Sequence, residues 1–373
     1  MADYFVIIDG MTDAPSEDSA QAFPASMPFL RELARGNPTG YFNTCPPGFS
    51  PDSLCCIGTL LGIPRQKLPL GRAWLEAQAA GVSLDEGMAA CRCNMIEVSR
   101  EGRILFSSGG ALTGEQLGQA AKKARKWLGS ERFLPLGGYK NLLFFPLEQG
   151  LPRLAAPHEN QGNFWRDCLP QGSPAARELR RIVEGSRDIL REFQRDSAEY
   201  LLWPWGASLP QRLPRFSRLH GLDAGFAAGC VCETQLVKGM ASGMGMLAPS
   251  IPGATADTDT SLPAKLHMAL SLAERCGLVV IHINGADEAA HRKNPQEKAA
   301  FLQRVDSVLL RGLWERRSSG DRLLITSDHG TSPVSGRHER FRQPFVLAGA
   351  HSTDFGTLEA AQAVPLVLGK GIG

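Results

Sequence analysis

The sequence predicts an α/β protein with a doubly wound, mainly parallel sheet and an inserted, smaller α+β domain. Three observations support this prediction: apolar segments near both ends of the chain lead to aspartate, a helical pattern separates the last two, and the middle of the 373-residue chain differs in composition. Chains of this length usually form two domains. Apolar residues make up 43% of the sequence, which is enough for two cores.

Three short apolar segments have the pattern of buried parallel strands. Residues 4–8 end at Asp9, residues 278–283 lead to Asp287, and residues 322–326 lead to Asp328. Uninterrupted apolar runs are typical of strands that are covered on both faces. Because ligands bind beyond the carboxyl ends of such strands, the three aspartates are candidate site residues.

Helical patterns lie between the strands. Residues 295–317 are amphipathic, with apolar side chains that include Phe301, Val305 and Leu309, and a second helix is expected over residues 262–276. Alternating strands and helices favour a parallel sheet. Since the aspartates come from both ends of the chain, we expect a core domain of residues 1–70 and 226–373, interrupted by an inserted domain of residues 71–225.

The middle of the chain is richer in charge, with helical runs over residues 115–126 and 175–194. Residues 203–206, followed by Pro210 and Pro214, resemble a linker that returns to the core, although a tryptophan-rich segment can equally pack as part of a hinge. No internal repeat or low-complexity tract is evident in the sequence.

Charge and composition exclude several classes of protein. The 40 Lys and Arg nearly balance 38 Asp and Glu, so no global field favours nucleic acid or an anionic membrane. The absence of a long apolar run predicts a soluble, cytoplasmic protein, either a monomer or a homo-oligomer. The nine cysteines are expected to be reduced, because their spacing fits neither a zinc ribbon nor a redox motif.

Carboxylates and imidazoles follow the predicted strands at spacings that suit metal ions. Asp287 and His291 are four residues apart, Asp328 and His329 are adjacent, and His338 follows nine residues later. Singly, each is better explained as a surface histidine or an N-capping aspartate. Together with Asp9 they form a set of six ligands, enough for the two ions that assist phosphoryl transfer.

Ser53 is the candidate nucleophile. It follows a Pro/Gly-rich turn and begins an apolar, helix-like run, so the helix amino terminus could bind a phosphate beside its hydroxyl. Two alternatives stay open: Asp52 or Ser53 acts only as an N-cap, or Ser50 supplies the hydroxyl.

Several of these segments resemble the archaeal-type, cofactor-independent phosphoglycerate mutases of the alkaline phosphatase superfamily. The similar segments follow one another in order across almost the whole chain: residues 7–11, 53–62, 71–77, 91–94, 157–162, 202–206, 233–239, 252–255, 287–291 and 328–330. The resemblance implies an alkaline-phosphatase-like fold, a metal-binding core domain, a substrate-binding or lid domain in the insertion, and an isomerase that proceeds through phosphoserine at Ser53.

The resemblance also implies roles for individual residues. One metal would be held by Asp287, His291 and His338, and the other by Asp9, Ser53, Asp328 and His329. Arg92, His158, Asn160 and Lys238 would contact the substrate, with Arg92 and Lys238 also acting in catalysis. The cofactors would be two divalent ions, Mn or Zn in preference to Mg or Co, with no requirement for 2,3-bisphosphoglycerate.

The chain departs from the family pattern outside the metal ligands. Glu159-Asn160-Gln161 replaces an Asp-Asn-Thr-like segment, and the cysteine pair Cys55-Cys56 stands near Ser53 where many members differ. These differences keep two alternatives open: a phosphatase or phosphotransferase acting on another small phosphorylated metabolite, as in relatives proposed to be homoserine kinases, and a non-catalytic metal-binding protein. The kinase reading lacks a Gly-rich nucleotide loop.

Overall fold

The computed structural model describes residues 2–19, 21–147, 150–350 and 353–371. The chain divides into two compact units, one comprising Met1–Leu68 and Leu213–Gly373, and the other Pro69–Arg212. We call them the core unit and the inserted unit. The inserted unit ends at residue 212, whereas the sequence analysis predicted that the inserted domain would end at residue 225.

The strands, in chain order, are β1 (Asp3–Ile8), β2 (Thr39–Asn43), β3 (Met88–Ser99), β4 (Ile104–Phe106), β5 (Phe133–Gly137), β6 (Lys140–Pro146), β7 (Ala198–Ser208), β8 (Ala228–Val231), β9 (Leu278–Ile283), β10 (Leu323–Thr326), β11 (Gly330–Thr331), β12 (His338–Glu339), β13 (Gln343–Ala348) and β14 (Thr357–Glu359). The α-helices are α1 (Pro28–Arg35), α2 (Ser53–Leu60), α3 (Ala73–Ala79), α4 (Gly114–Leu128), α5 (Pro174–Ile189), α6 (Phe216–Leu219), α7 (Gln235–Gly243), α8 (Leu262–Ala273), α9 (Gly285–His291), α10 (Pro295–Arg304), α11 (Arg311–Arg316) and α12 (Ala363–Val367).

The core unit is built on one mainly parallel sheet. Its strand order is β14-β2-β13-β10-β1-β9-β8, and within it β1 lies parallel to both β10 and β9. Strand β13 is antiparallel to its neighbours β10 and β2. The predicted α/β class with a mainly parallel sheet is therefore confirmed, and the three strands that lead to aspartate are β1, β9 and β10.

Helices cover both faces of this sheet. On one face, α1, α8 and the helical segment from α10 to α11 pack on apolar side chains that include Val6, Val279 and Ile281. On the other face, α12 packs on β1 and β10. The predicted helix over residues 295–317 is confirmed, although a π-helical turn, Val305–Leu310, joins its two parts. The predicted helix over residues 262–276 is also confirmed and ends at Ala273.

The π-helical turn supplies a cap for another helix. Helix α1 has no side-chain cap at its own N-cap residue, Met27. Instead, the buried Asp306 carboxylate accepts hydrogen bonds from the backbone N–H groups of Phe29 (2.9 Å) and Leu30 (2.8 Å). No intrahelical carbonyl can accept from the first-turn N–H groups of α1. A carboxylate from a distant segment accepts two of these hydrogen bonds instead.

The inserted unit is an α+β structure with an antiparallel sheet. The long strand β3 pairs with β4, β6 and β7, and β6 pairs with β5. Helices α4 and α5 pack on one set of strand side chains, and α3 packs on another. The predicted helical runs over residues 115–126 and 175–194 correspond to α4 and α5.

One prediction about this unit is wrong. Residues 203–206 are part of strand β7 rather than a linker, and Trp203 is buried between the sheet and neighbouring side chains. Pro204 lacks an N–H group, but β7 pairs with β3 alone among the described strands, and an edge strand tolerates proline.

Candidate functional site

The candidate site lies at the carboxyl ends of three adjacent strands of the core unit. Asp9 follows β1, Asp287 lies in α9 directly after β9, and Asp328 follows β10. Because β10, β1 and β9 are parallel neighbours, their carboxyl ends meet at one edge of the sheet. All three aspartates are buried.

Asp9, Asp328 and His329 form the first of two ligand groups. His329 Nε2 lies 3.2 Å from Asp328 Oδ2 and 3.5 Å from Asp9 Oδ1. The other oxygen of Asp328, Oδ1, accepts backbone N–H groups from Gly10 (3.2 Å) and His329 (2.8 Å). These backbone bonds direct Asp328 Oδ2 toward the imidazole.

Asp287, His291 and His338 form the second group. His291 Nε2 lies 3.2 Å from Asp287 Oδ2 and 3.0 Å from His338 Nε2, and His338 Nε2 lies 3.5 Å from Asp287 Oδ1. His291 Nδ1–H donates to the carbonyl of Gly336 (2.9 Å), so a neutral His291 has its lone pair on Nε2. The Nε2 atoms of both imidazoles and the Asp287 carboxylate therefore lie within 3.5 Å of one another.

The two ligand groups adjoin. Ligand atoms of His329, Asp287 and His338 lie within 4.8 Å of one another, as do those of Asp9, Asp328 and His329. Thr331 connects the groups, because its hydroxyl donates to Asp287 Oδ1 (2.7 Å) and accepts from His329 Nδ1 (3.2 Å). His329 Nε2 is thereby left to act as a ligand.

Ser53 brings a hydroxyl to the first group. It is the first residue of α2, and its Oγ lies 3.3 Å from Asp9 Oδ2 and 3.4 Å from His329 Nε2. Asp52 is the N-cap, since its side chain accepts the N–H of Cys55 at 2.8 Å. The rival Ser50 is exposed in the preceding loop. Asp52 therefore caps α2, while the hydroxyl of the next residue, Ser53, lies at the site.

Glycine is required at one position beside these ligands. Gly10 has φ +65°, and a Cβ there would stand 2.8 Å from Thr331 Oγ1 and 2.9 Å from Asp287 Cα. A side chain would therefore separate Thr331 and Asp287 from β1, because the gap has no room for it.

The buried carboxylates of the first group crowd negative charge together. Burial, followed by the nearby Asp328 and Asp287, raises the pKa of Asp9 well above its usual range. Burial and Asp287 raise the pKa of Asp328 to about 7. Two buried like charges oppose ionisation unless a cation compensates them.

In the second group, the imidazoles lower the pKa of the buried carboxylate instead of raising it. Burial alone would raise the pKa of Asp287, but His291 and His338 outweigh it and bring the pKa well below its usual range. Against the effect of burial, Asp287 raises the pKa of His291 to about 9.

For His329 of the first group, burial and then His338 lower the pKa well below its ordinary value, which favours the neutral ring that binds a metal.

The side chains present fit divalent metal ions. Asp9 Oδ1 and Asp328 Oδ2 are buried and have no hydrogen-bond partner among the described residues. Buried carboxylate oxygens are rarely left in this state, and a bound cation would satisfy both. The mixture of carboxylate oxygen and imidazole nitrogen suits Zn, Mn or Co, and Mg less well.

The predicted substrate contacts fall in both units. In the inserted unit, Arg92 is buried in β3 and His158 is exposed; both contact the Trp205 ring, with the Arg92 guanidinium carbon 5.5 Å and the His158 ring 5.1 Å from its centre. The side-chain amide of Asn160 donates to the carbonyl of Ala156 (2.8 Å), which lies in the same loop.

Lys238 lies in the core unit. It is a half-buried residue of α7, and its ammonium group donates to Ser250 Oγ at 3.1 Å. Lys238 therefore belongs to the unit that carries the metal-ligand groups.

The sequence analysis missed His282. This buried side chain of β9 places Nε2 3.1 Å from Asp9 Oδ2. Burial, and then Lys265, lowers the pKa of His282 to about 3, so the ring is neutral and Nε2–H donates to the carboxylate. The sequence did carry a signal for it, a single histidine within an otherwise apolar strand. Burying a histidine without a hydrogen-bond partner costs free energy, so such a residue indicates a buried polar contact.

Comparisons with known proteins identify the class to which this fold and site belong. Residues 3–368 match the family model described as Metalloenzyme superfamily, so the chain belongs to that alkaline-phosphatase-like superfamily. The PH0037 protein from Pyrococcus horikoshii has a similar fold, with a TM-score of 0.73, 18% identity, and coverage of 100% of this chain and 98% of that one.

Sequence relatives narrow the assignment. A 2,3-bisphosphoglycerate-independent phosphoglycerate mutase from Methanothrix thermoacetophila is 30% identical over 93% of this chain and 91% of its own length. A second from Methanothermobacter thermautotrophicus is 27% identical, covering 94% and 89%. The cofactor-independent phosphoglycerate mutase from Thermoplasma acidophilum shares the fold at a TM-score of 0.54 and 17% identity, with 99% of each chain covered. The chain is a member of the 2,3-bisphosphoglycerate-independent phosphoglycerate mutase family.

Within the described residues, no helix is both long and apolar enough to cross a bilayer.

Proposed function

We propose that this protein interconverts 2- and 3-phosphoglycerate by passing the phosphoryl group to and from Ser53 beside two divalent metal ions. The observation that carries the proposal is the position of the Ser53 hydroxyl, 3.3 Å from Asp9 Oδ2 and 3.4 Å from His329 Nε2. The names of the two sequence relatives support the choice of substrate.

The two ligand groups would hold one ion each. Asp9, Ser53, Asp328 and His329 would bind the first, and Asp287, His291 and His338 the second, with Mn or Zn preferred over Mg or Co. When bound, such ions supply positive charge that activates a hydroxyl and stabilises a transferring phosphoryl group. The scheme uses no 2,3-bisphosphoglycerate.

Ser53 Oγ is the attacking atom in the first transfer. Its bond to phosphorus forms as the bond between phosphorus and the glycerate oxygen breaks, leaving phosphoserine and glycerate. Asp9 orients the hydroxyl by accepting its hydrogen bond, and the amino terminus of α2 favours negative charge beside it. The other glycerate hydroxyl then attacks the phosphoserine and restores Ser53.

The remaining residues would bind the substrate. Lys238 would neutralise the transferring phosphoryl group, and Arg92 would bind the carboxylate through two parallel hydrogen bonds. His158 and Asn160 would complete the contacts from the inserted unit, which thereby serves as the substrate-binding domain. The core unit serves as the metal-binding domain.

The test is an enolase-coupled assay of metal-reconstituted protein with 3-phosphoglycerate. Ser53→Ala is expected to lose both turnover and transfer of labelled phosphate to the protein, because no other hydroxyl occupies its position. Ser50→Ala is the matched control and is expected to keep both. Undiminished turnover by Ser53→Ala would contradict the proposal.

A phosphate-release assay run in parallel separates the alternative activity. Wild type would then release inorganic phosphate without mutase turnover, and Ser53→Ala would release none. That result would support the serine and metal chemistry but identify water as the acceptor. The protein would then be a phosphatase rather than an isomerase.

A further inference from the structure

A buried lysine contacts the candidate site and has no role in the proposed phosphoryl transfer. Lys298 is in the first turn of α10, and its side chain is 2% exposed. Its ammonium group donates to the carbonyl oxygen of Thr331 at 2.8 Å and forms an ion pair with Asp13. Because burial of a charge costs free energy even when a partner offsets part of the cost, a buried lysine beside a candidate site indicates a specific role.

Thr331 is the residue through which this contact reaches the metal ligands. Its hydroxyl donates to Asp287 Oδ1 (2.7 Å) and accepts from His329 Nδ1 (3.2 Å), so one side chain contacts a ligand of each group. Threonine is branched at Cβ and has few alternative rotamers. The position of the hydroxyl therefore follows the position of the Thr331 backbone.

The backbone of Thr331 is held from both sides. Its N–H donates to the carbonyl of Thr12 (3.1 Å), and its own carbonyl accepts from Lys298. Thr12 is fixed in turn, because its hydroxyl donates to Gln343 Oε1 (2.6 Å) and both side chains are buried. Strand β11, which contains Thr331, has only two residues, so its own pairing with β12 supplies little further restraint.

Helix α10 fixes the other end of the lysine. The side-chain oxygen of Asn294 caps the helix by accepting the N–H of Glu297 at 3.1 Å. The Glu297 carboxylate accepts from the guanidinium of Arg292 (2.6 Å), which directly follows His291 at the end of α9. The backbone of Lys298 is therefore part of a helix whose first turn is bound to the residue next to a metal ligand.

We propose that Lys298 is a positioning residue for both metal-ligand groups: by binding the carbonyl of Thr331, it holds the Thr331 hydroxyl between Asp287 and His329. This inference rests on the metal-binding part of the proposed function. Without the ammonium group, the carbonyl of a fully buried residue loses this donor, and the backbone that carries the hydroxyl is held from one side only.

The expected effect is a loss of metal affinity. Contacts that direct metal ligands typically change affinity by about 10- to 100-fold. Lys298 acts one contact further from the ions than Thr331 does, so its removal should cost about tenfold, at the lower end of this range. Since Thr331 contacts a ligand of each group, binding of both ions should weaken.

The experiment measures metal affinity in full-length wild type, Lys298→Met, Thr331→Val and the double variant. Methionine has a long unbranched side chain without N–H donors, and valine has the branched shape of threonine without the hydroxyl. Each protein is freed of metal and titrated with Mn²⁺ in a calorimeter, and its unfolding temperature is measured without metal. Lys370→Met is the matched control, because Lys370 also donates to backbone carbonyls, those of His220 (2.9 Å) and Gly221 (3.0 Å), outside the metal-ligand groups.

We expect Lys298→Met to bind Mn²⁺ about tenfold more weakly than wild type, Thr331→Val at least as weakly, and Lys370→Met as tightly as wild type. In the double variant the two losses should not add, because Lys298 acts through the Thr331 hydroxyl and residues of one hydrogen-bond network are coupled. A role in packing alone would lower the unfolding temperature of Lys298→Met and leave its metal affinity unchanged.

Equal affinities in wild type and Lys298→Met, or losses that add in the double variant, would overturn the inference. If Lys298→Met does not fold, Thr331→Val still tests it, since an unchanged affinity in that variant would show that the Thr331 hydroxyl directs no ligand. A wild type that binds Mn²⁺ but shows no turnover in the enolase-coupled assay would contradict the proposed function alone. A wild type that binds no ion would overturn both.

Discussion

At the scale of single residues, several metal-ligand candidates have a second contact that directs them. His282 donates to Asp9, Thr331 bridges Asp287 and His329, and backbone N–H groups bind one oxygen of Asp328. Contacts of this kind set the tautomer and orientation of metal ligands and raise affinity. The side chains are therefore directed toward the positions of the ions before any ion binds.

Removing the His282 contact should weaken metal binding. His282→Ala deletes the donor to Asp9 Oδ2, and loss of such a contact typically lowers metal affinity by about 10- to 100-fold. Titration of metal-free protein with Mn²⁺ in a calorimeter measures the change. His282→Gln keeps an N–H donor and is expected to recover part of the affinity, which a purely packing role would not predict. Equal affinities in wild type and His282→Ala would argue against this role.

At the scale of elements, a buried ion pair joins α3 to β3 in the inserted unit. Glu76 Oε1 in α3 accepts from an Arg92 Nη atom at 2.6 Å and from Arg72 Nε at 2.8 Å. Glu76 and Arg92 are both buried, whereas Arg72 is partly exposed. Although burial opposes it, Arg92 and then Arg72 bring the pKa of Glu76 below its usual value.

Glu76→Gln should destabilise the protein in a pH-dependent way. The variant leaves Arg92 buried without its counter-charge, a change that typically costs about 3–5 kcal/mol of unfolding free energy. Because the pKa of Glu76 is lower in the folded than in the unfolded state, its stabilisation is present above about pH 4.3 and is lost as pH falls through the folded pKa.

Denaturant unfolding at neutral and acidic pH measures this difference. The gap between wild type and Glu76→Gln is expected to be largest at neutral pH and to shrink below about pH 4. Glu86→Gln, at an exposed position of the same unit, is the matched control and should unfold like wild type. A gap that does not change with pH would contradict the assignment.

At the scale of the whole molecule, the candidate site joins distant parts of the chain. Asp9 follows the first strand, whereas Asp287 and Asp328 follow strands near the other end. An ion bound by Asp9 and Asp328 would connect segments that are brought together only by folding. Metal binding and folding of the core unit should therefore be thermodynamically linked.

Divalent metal should raise the unfolding temperature. An ion that binds the folded state alone adds about 2.7 kcal/mol of stability at a concentration 100 times its dissociation constant. Scanning calorimetry with Mn²⁺ or Zn²⁺, and again after a chelator, measures the shift. Asp328→Asn should lose most of it, because one ligand charge is removed. Asp196→Asn, at an exposed position of the inserted unit, should keep it. An undiminished shift in Asp328→Asn would exclude these ligands as the source of the stabilisation.

Local sequence patterns were sufficient to predict much of the core. Apolar runs that end near aspartate identified β1, β9 and β10, and the four-residue spacing of Asp287 and His291 suited the turn of α9. These features could be predicted because burial on both faces and helical spacing are recorded in consecutive residues. The roles of Ser53 and of the substrate contacts stay predictions.

What the sequence by itself determined was therefore the class of fold and the residues at the strand ends; the tertiary structure decided which of them meet. His282 contacts Asp9 because β1 and β9 pair with Ile7 opposite His282, and strand register is not encoded in either segment alone. Residues 203–206 form a strand because β3 offers partners for their backbone and neighbouring side chains bury Trp203, although proline and glycine indicated a linker. Contacts between residues far apart in the chain depend on packing and register, which local patterns do not specify.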